Sequence, residues 1–297
     1  MKSGISSGSA GRKEEKRKML ELSHVDMFFG GIAALHDMSF TIQKGELMGI
    51  IGPNGAGKTT IFNIISGVYM PTAGTIYFQG SDITPLKAYQ INRLGIARTF
   101  QNLRLFTRST VLENVMTSAQ NRYINSYREE FFTGNISRTN CPDPESWYSF
   151  IESCLHVGRW KSTERTLRFK SMELLERVGL ADRAAQIAGT LPYGMQRRLE
   201  IARALALSPK LLMLDEPAAG MNPEEVFELN DLITGIHKDF DLTTLVIEHH
   251  MDLIMRICPH IICLNFGAKI AEGTSEEIQN NPEVLAAYLG SDEEEVI

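Results

Sequence analysis

Gly52-Pro53-Asn54-Gly55-Ala56-Gly57-Lys58-Thr59, with Thr60 behind it, fits the spacing G-x-x-x-x-G-K-[ST]. It follows the continuously apolar run Leu47-Met-Gly-Ile-Ile51, which reads as a strand covered on both faces, and it precedes an apolar helical stretch. The spacing has a chemical reason. Glycines let successive backbone N–H groups turn inward around phosphate oxygens, and the following helix offers the positive end of its dipole. Lys58 is expected to reach the β- and γ-phosphates of a nucleotide, the Thr59 hydroxyl to ligate Mg²⁺, and Thr60 to donate to a more distal phosphate. Several classes of nucleotide enzyme share this loop, so alone it says only that a phosphate is held.

Working outward, hydrolysis needs a carboxylate near the metal at the end of a neighbouring strand. Leu211-Leu-Met-Leu-Asp215-Glu216-Pro217 supplies one. Asp215 is expected to hold Mg²⁺, through water, and Glu216 to point elsewhere as the chain leaves the strand, where it can polarise the attacking water as general base. In isolation the pair could be an Asp-Glu turn capping a buried strand. The phosphate loop upstream is what favours the catalytic reading. A third continuously apolar run, Thr244-Leu-Val-Ile247, completes the set, and helix-like stretches separate the runs, as in a parallel α/β core.

The bulk numbers set the frame. The 297 residues carry 30 Lys and Arg against 36 Asp and Glu, a formal net charge of −6, which argues against non-specific binding to nucleic acid. No apolar run approaches the ~20 residues needed to cross a bilayer, and the first twenty residues show no secretory signal. The four cysteines, Cys141, Cys154, Cys258 and Cys263, have no metal-like spacing and read as reduced structural thiols. Any membrane role is expected to be peripheral.

Residues 1–19, rich in Ser, Gly, Lys and Glu, read as a disordered tail. From Leu20 to Ile42 short alternating runs, broken at Gly30-Gly31, suggest strands of a small sheet, and Gly74–Gly80 has the same character. Residues 102–190 offer no comparable buried strand. They read mostly as helices, with a polar, irregular insert around residues 133–144. No internal repeat is visible.

Four further segments then fall in an order that resembles the ATPases of ABC transporters. Thr99-Phe100-Gln101-Asn102 resembles the Q-loop, Leu191-Pro192-Tyr193-Gly194-Met195 the signature motif, Ala219-Gly220-Met221-Asn222-Pro223 the D-loop, and Ile247-Glu248-His249 the switch-histidine strand end. Phe29 matches the aromatic that stacks on adenine. Singly, Gln101 could be any surface glutamine, His249 a structural histidine and Phe29 sheet packing. Their order along the chain carries the assignment. The resemblance implies that Gln101 senses Mg²⁺ and the attacking water, that His249 acts with Glu216 in catalysis, and that Gly194 meets ATP bound by an opposing subunit. His250 is expected to face solvent. The signature departs from Leu-Ser-Gly-Gly-Gln: Pro192 replaces serine, Tyr193 a glycine and Met195 the glutamine, while Asn222 replaces the D-loop aspartate. A helix beginning near Gln196 is expected to keep N–H groups and a dipole available.

The implied fold is α/β: a P-loop NTPase (RecA-like) core with a small antiparallel β subdomain and an inserted helical subdomain. The expected layout places an ABC ATPase domain at 20–297, with a nucleotide-binding core at 20–100 and 191–270, the helical subdomain at 101–190 and a C-terminal extension at 271–297. Gly95–Asn102, Gln196–Arg203, Asp215–Pro223, and the ending Ala271-Glu-Gly-Thr with Asn281-Pro-Glu-Val and Ala287-Tyr-Leu-Gly290 resemble ATP-binding subunits of high-affinity branched-chain amino acid importers. In that branch the signature is often Leu-x-Tyr-Gly. The resemblance implies ATP and Mg²⁺ as cofactors and two transmembrane permease subunits. It also implies a second ABC ATPase as heterodimer partner, or a homodimer, and indirectly an extracytoplasmic substrate-binding protein. Nucleic acid is not an expected partner. The expected location is cytoplasmic, on the inner face of the membrane. Urea or amide import, lipopolysaccharide transport, a non-transport ABC ATPase, and a regulatory module that binds ATP without hydrolysing it stand as alternatives.

Overall fold

The structure, a computed structural model, describes residues 17–120, 159–249 and 251–289. Strands β1 (Lys18–Phe29) and β2 (Ile32–Gln43) form a hairpin across Gly30-Gly31, and β4 (Ala73–Phe78) and the short β5 (Ser81–Asp82) extend it into an antiparallel sheet ordered β2-β1-β4-β5. Apolar residues on alternate positions give this sheet one buried face, packed with Leu20, Leu22, Val25, Leu35 and Ile42. The second sheet is ordered β10-β9-β3-β8-β7-β6. Its members are β3 (Leu47–Ile51), β6 (Ile96–Arg98), β7 (Leu211–Asp215), β8 (Thr243–Ile247) and β9 (His260–Asn265), which run parallel, and the antiparallel edge strand β10 (Ala268–Gly273).

The continuous apolar runs have the expected cause. Every residue of β3, β7 and β8 is buried, and successive side chains enter two different cores. Leu47, Ile51, Leu212, Leu214 and Val246 face a core shared with helices. Met48, Ile50, Leu211, Met213, Leu245 and Ile247 face a core shared with the antiparallel sheet and with α1 (Lys58–Ile65). Two parallel strands were not anticipated. In β9 the apolar run Ile261–Leu264 pairs directly with β3, and β6 is only three residues long.

The helical layer includes a stretch at 111–120 and α3 (Arg159–Arg177), which packs against α4 (Tyr193–Ala206). Helix α2 (Ala88–Leu94) leads into β6, α5 (Pro223–Asp239) separates β7 from β8, and α6 (Met251–Ile257) precedes β9. Helices α7 (Ser275–Gln279) and α8 (Pro282–Leu289) end the described chain. The helical core is continuous with the lower face of the large sheet, since Val111, Val115, Leu175, Leu199 and Leu212 share one cluster. Two expected boundaries fall inside strands. Lys18 and Met19 already belong to β1, where Met19 is buried, and the 270/271 boundary cuts β10. The expected tail up to residue 16, the insert at 133–144, Cys141, Cys154 and His250 lie outside the described residues.

Candidate functional site

The phosphate loop is shaped by positions where only glycine fits. Gly52 leaves β3 at φ 152, where a Cβ would strike the Leu264 carbonyl, and Gly57 turns into α1 at φ 98, where a Cβ would lie 2.7 Å from the Ala34 carbonyl oxygen. Helix α1 opens on Gly57 with no side-chain cap and no acidic residue in its first turn. Its first intrahelical bond is donated by Ile61, so the N–H groups of Lys58, Thr59 and Thr60 have no partner within the helix. The Lys58 ammonium is buried and donates to the carbonyls of Gly52 at 2.6 Å and Pro53 at 2.8 Å. Burial lowers its pKa, and the negative charge of Glu216 opposes that fall. Bare amides and an ammonium with a third donor make a cradle whose chemistry fits phosphate.

The strand ends bring the other charges to this loop. Asp215, the last residue of β7, is buried, and its Oδ2 accepts from Arg98 Nη2 at 2.6 Å. Burial pushes the Asp215 carboxyl up, and the Arg98 guanidinium holds it back. Arg98 also donates to Asn63 Oδ1 at 2.8 Å and Ser66 Oγ at 3.1 Å, with its guanidinium over the rings of Phe62 and Phe100. It thereby links β6, α1 and β7.

Glu216 takes a left-handed conformation, φ 45, and this turns its side chain away from that of Asp215. Its Oε2 accepts from Gln101 Nε2 at 2.8 Å and lies 3.9 Å from His249 Nδ1. Two carboxylates one residue apart therefore have separate partners. Glu248 is buried beside them. Its Oε1 accepts from the Ala218 N–H at 2.8 Å, and its Oε2 lies 3.7 Å from His249 Nδ1.

Gly194 and Phe29 belong to other clusters. Helix α4 begins at Tyr193, three residues before the expected Gln196, with Pro192 as N-cap and no side-chain cap. Pro192 serves there because it fixes an extended cap geometry, φ −54 and ψ 153, and leaves the N–H groups of Tyr193, Gly194 and Met195 ahead of the first intrahelical bond from Gln196. Gly194 packs on the same chain's D-loop helix, where a Cβ would lie 3.0 Å from Glu225 Oε1, and the Tyr193 ring borders Gly220. Asn222 caps α5. Its side chain accepts from the Glu225 N–H at 2.9 Å, while Glu225 Oε2 accepts from the Asn222 N–H at 3.0 Å. Phe29 is 43% exposed and meets Tyr69 edge to face, with centroids 5.3 Å apart.

Sequence reasoning gave no role to Arg98, Glu248, Tyr69 or Tyr288. Burial raises the Tyr288 phenol above its usual range, and the nearby Gly52 backbone opposes the rise, so α8 reaches the start of the phosphate loop. A usable signal for Arg98 and Glu248 was a charged residue directly adjoining an apolar strand end. Nothing local marks Tyr69 or Tyr288.

Known proteins with the same features supply context for this geometry. A profile described as "ABC transporter" matches residues 35–219, and one described as "Branched-chain amino acid ATP-binding cassette transporter" matches residues 268–294. The high-affinity branched-chain amino acid transport ATP-binding protein BraF of Pseudomonas aeruginosa is 41% identical over 92% of this chain and 98% of its own length. LivG of Escherichia coli K12, with the same description, is 40% identical over 92% and 98%. Among solved structures, a nucleotide-free ATP-binding cassette from an ABC transporter superposes with TM-score 0.72 at 29% identity, covering 91% of this chain and 98% of that one. The ADP conformation of the cassette MJ1267 does so with TM-score 0.72 at 28% identity, covering 92% and 99%.

Proposed function

The chain belongs to the ABC transporter ATPase family, and from that premise we propose that it powers an importer for branched-chain amino acids by hydrolysing ATP in a site shared with a second ATPase subunit. The observation that carries the catalytic part is the convergence of Gln101, Glu216 and His249 beside the Lys58 loop, with Glu216 Oε2 2.8 Å from Gln101 Nε2 and 3.9 Å from His249 Nδ1. The cargo reading draws support from the two relatives' descriptions and from the C-terminal match at residues 268–294.

In this reading Phe29 stacks on adenine and the loop amides of residues 52–60 hold the phosphates. Lys58 exchanges the Gly52 and Pro53 carbonyls for β- and γ-phosphate oxygens. Thr59, Gln101 and Asp215 would hold Mg²⁺, which supplies charge neutralisation on the phosphates. Glu216 takes a proton from water as the water oxygen bonds to the γ-phosphorus and the bond to ADP breaks. Gln101 and His249 orient that water. The bare N-terminus of α4, at Tyr193, Gly194 and Met195, faces the γ-phosphate of the opposing subunit's ATP, and the helical layer behind Gln101 passes closure to two permease subunits. No helix among the described residues is long and apolar enough to cross a membrane. In this reading the chain sits on the inner face of the membrane through those permeases, with an extracytoplasmic binding protein delivering cargo.

The test is phosphate release from the purified chain alone and with its co-purified partners, across a panel of amino acids. Stimulation of the assembled complex by Leu, Ile or Val supports the reading. ATP bound without turnover in both preparations would sink it.

A further inference from the structure

The signature helix carries a buried ion pair that no part of the catalytic chemistry uses. Arg197 and Glu200 sit one turn apart on α4, 1% and 5% exposed, joined Nη1 to Oε2 at 2.9 Å. Burying a charge pair costs several kcal/mol per ion before attraction and hydrogen bonds offset it, so such a pair needs well-matched polar partners. Here the partners are the backbone of the Q-loop. Arg197 donates to the Phe100 carbonyl at 2.6 Å and to the Gln101 carbonyl, and Glu200 Oε1 accepts from the Phe100 N–H at 3.3 Å. Donor and acceptor groups of two consecutive residues are thus captured by one helix.

The same helix carries the signature. The Arg197 guanidinium also lies over the Tyr193 ring, 5.7 Å from its centroid, and that ring borders Gly220 of the D-loop. At the other end Gln101 Nε2 donates to Glu216. A contiguous chain of contacts therefore runs from Gly220 and Tyr193, through Arg197 and Glu200, to Phe100, Gln101 and the catalytic carboxylate.

We propose that Arg197 and Glu200 are a positioning pair that ties the half-site this subunit donates to its partner to the Gln101 of the half-site it keeps. The inference rests on the two-chain site proposed above. When the N-terminus of α4 moves onto a partner's ATP, the clamp moves the Q-loop backbone with it and so adjusts the contact that Gln101 already makes with Glu216. Hydrolysis in one site then depends on engagement at the other, which gives cooperative turnover.

The test uses the purified full-length chain. The double variant Arg197→Met with Glu200→Leu replaces the pair with apolar groups and leaves no lone buried charge. Arg197→Lys keeps the charge but loses the two-pronged geometry. The expected result for the double variant is binding of a fluorescent ATP analogue within about twofold of the parent, kcat down by about tenfold or more, and a Hill coefficient reduced to one. Arg197→Lys falls between, and amide exchange of residues 99–103 speeds up in both variants while that of 52–60 does not. A double variant that melts within a few degrees of the parent yet keeps its kcat and Hill coefficient overturns the proposal, as does a parent chain that turns over ATP without cooperativity. Where the double variant does not fold, unchanged kcat and unchanged exchange at 99–103 in Arg197→Lys overturn it. A parent chain that binds ATP without hydrolysing it, both alone and with its co-purified partners, defeats the functional reading instead, and the exchange of residues 99–103 still decides the clamp.

Discussion

The phosphate loop and the signature segment both present a helix N-terminus without a side-chain cap, yet they are held by different means. Around the loop, charges sit at the buried ends of parallel strands. Lys58, Asp215 and Glu248 are each less than 7% exposed: Asp215 ends β7, Glu248 directly follows β8, and Lys58 opens α1 on the loop that leaves β3. Around the signature, Tyr193 is 41% exposed, and the segment borders Gly220 and Glu225 of its own chain. A rigid sheet edge is suited to holding reacting groups in place. On the proposed function, the difference separates the half-site this chain keeps, built at strand ends, from the half-site it offers, built at the N-terminus of α4.

The comparison breaks most sharply at Glu216. Glu216→Gln is expected to reduce ATP turnover on the order of 10²–10⁴-fold while leaving nucleotide binding near parental, as read by phosphate release beside a binding titration. Equal turnover would remove Glu216 from the kept half. Gly194→Ala probes the offered half. The added Cβ meets only the end of the Glu225 side chain at 3.0 Å, so the fold should tolerate it, while turnover drops by up to about a hundredfold through misplacement of α4. A melting curve beside a rate measurement separates the two effects.

Smaller effects sharpen the contrast. Asn222→Ala removes the cap of α5 and should cost about 1 kcal/mol, a melting shift of roughly 2–4 °C by calorimetry, because Asn222 acts here as a helix cap. The smallest expected change is none. Cys258 and Cys263 are buried, and burial pushes the Cys263 thiol up to about 11, so both stay protonated at pH 8. Peptide mass spectrometry should find neither modified by a thiol reagent in the folded protein and both modified after denaturation. A reactive Cys263, next to the kept half, would mean that the half opens.

How much of this was legible depended on the kind of signal. Gly52–Thr59 and Asp215-Glu216 announce themselves because phosphate and metal chemistry fix residue types at fixed spacing. The runs at Leu47, Leu211 and Thr244 show as strands because both faces of the sheet are covered. Strand β6 escapes because three residues carry no period, and its end, Arg98, shows its role only when β7 brings Asp215 within 2.6 Å. Pro192 looked like a loss of a serine hydroxyl, and in three dimensions it is the cap from which α4 starts three residues early.

The sequence by itself determined that this chain carries a phosphate loop, which residues are expected to reach a nucleotide's phosphates, and which pair of carboxylates follows, since those groups lie within short stretches of chain. Only the tertiary structure decided what those groups lean on. Arg98 on Asp215, Gln101 on Glu216, Arg197 and Glu200 on the Q-loop backbone, and Tyr288 on Gly52 are contacts between residues about a hundred or more positions apart. The pairing itself leaves no local trace, because burial and chain crossing, not spacing, bring the two residues together.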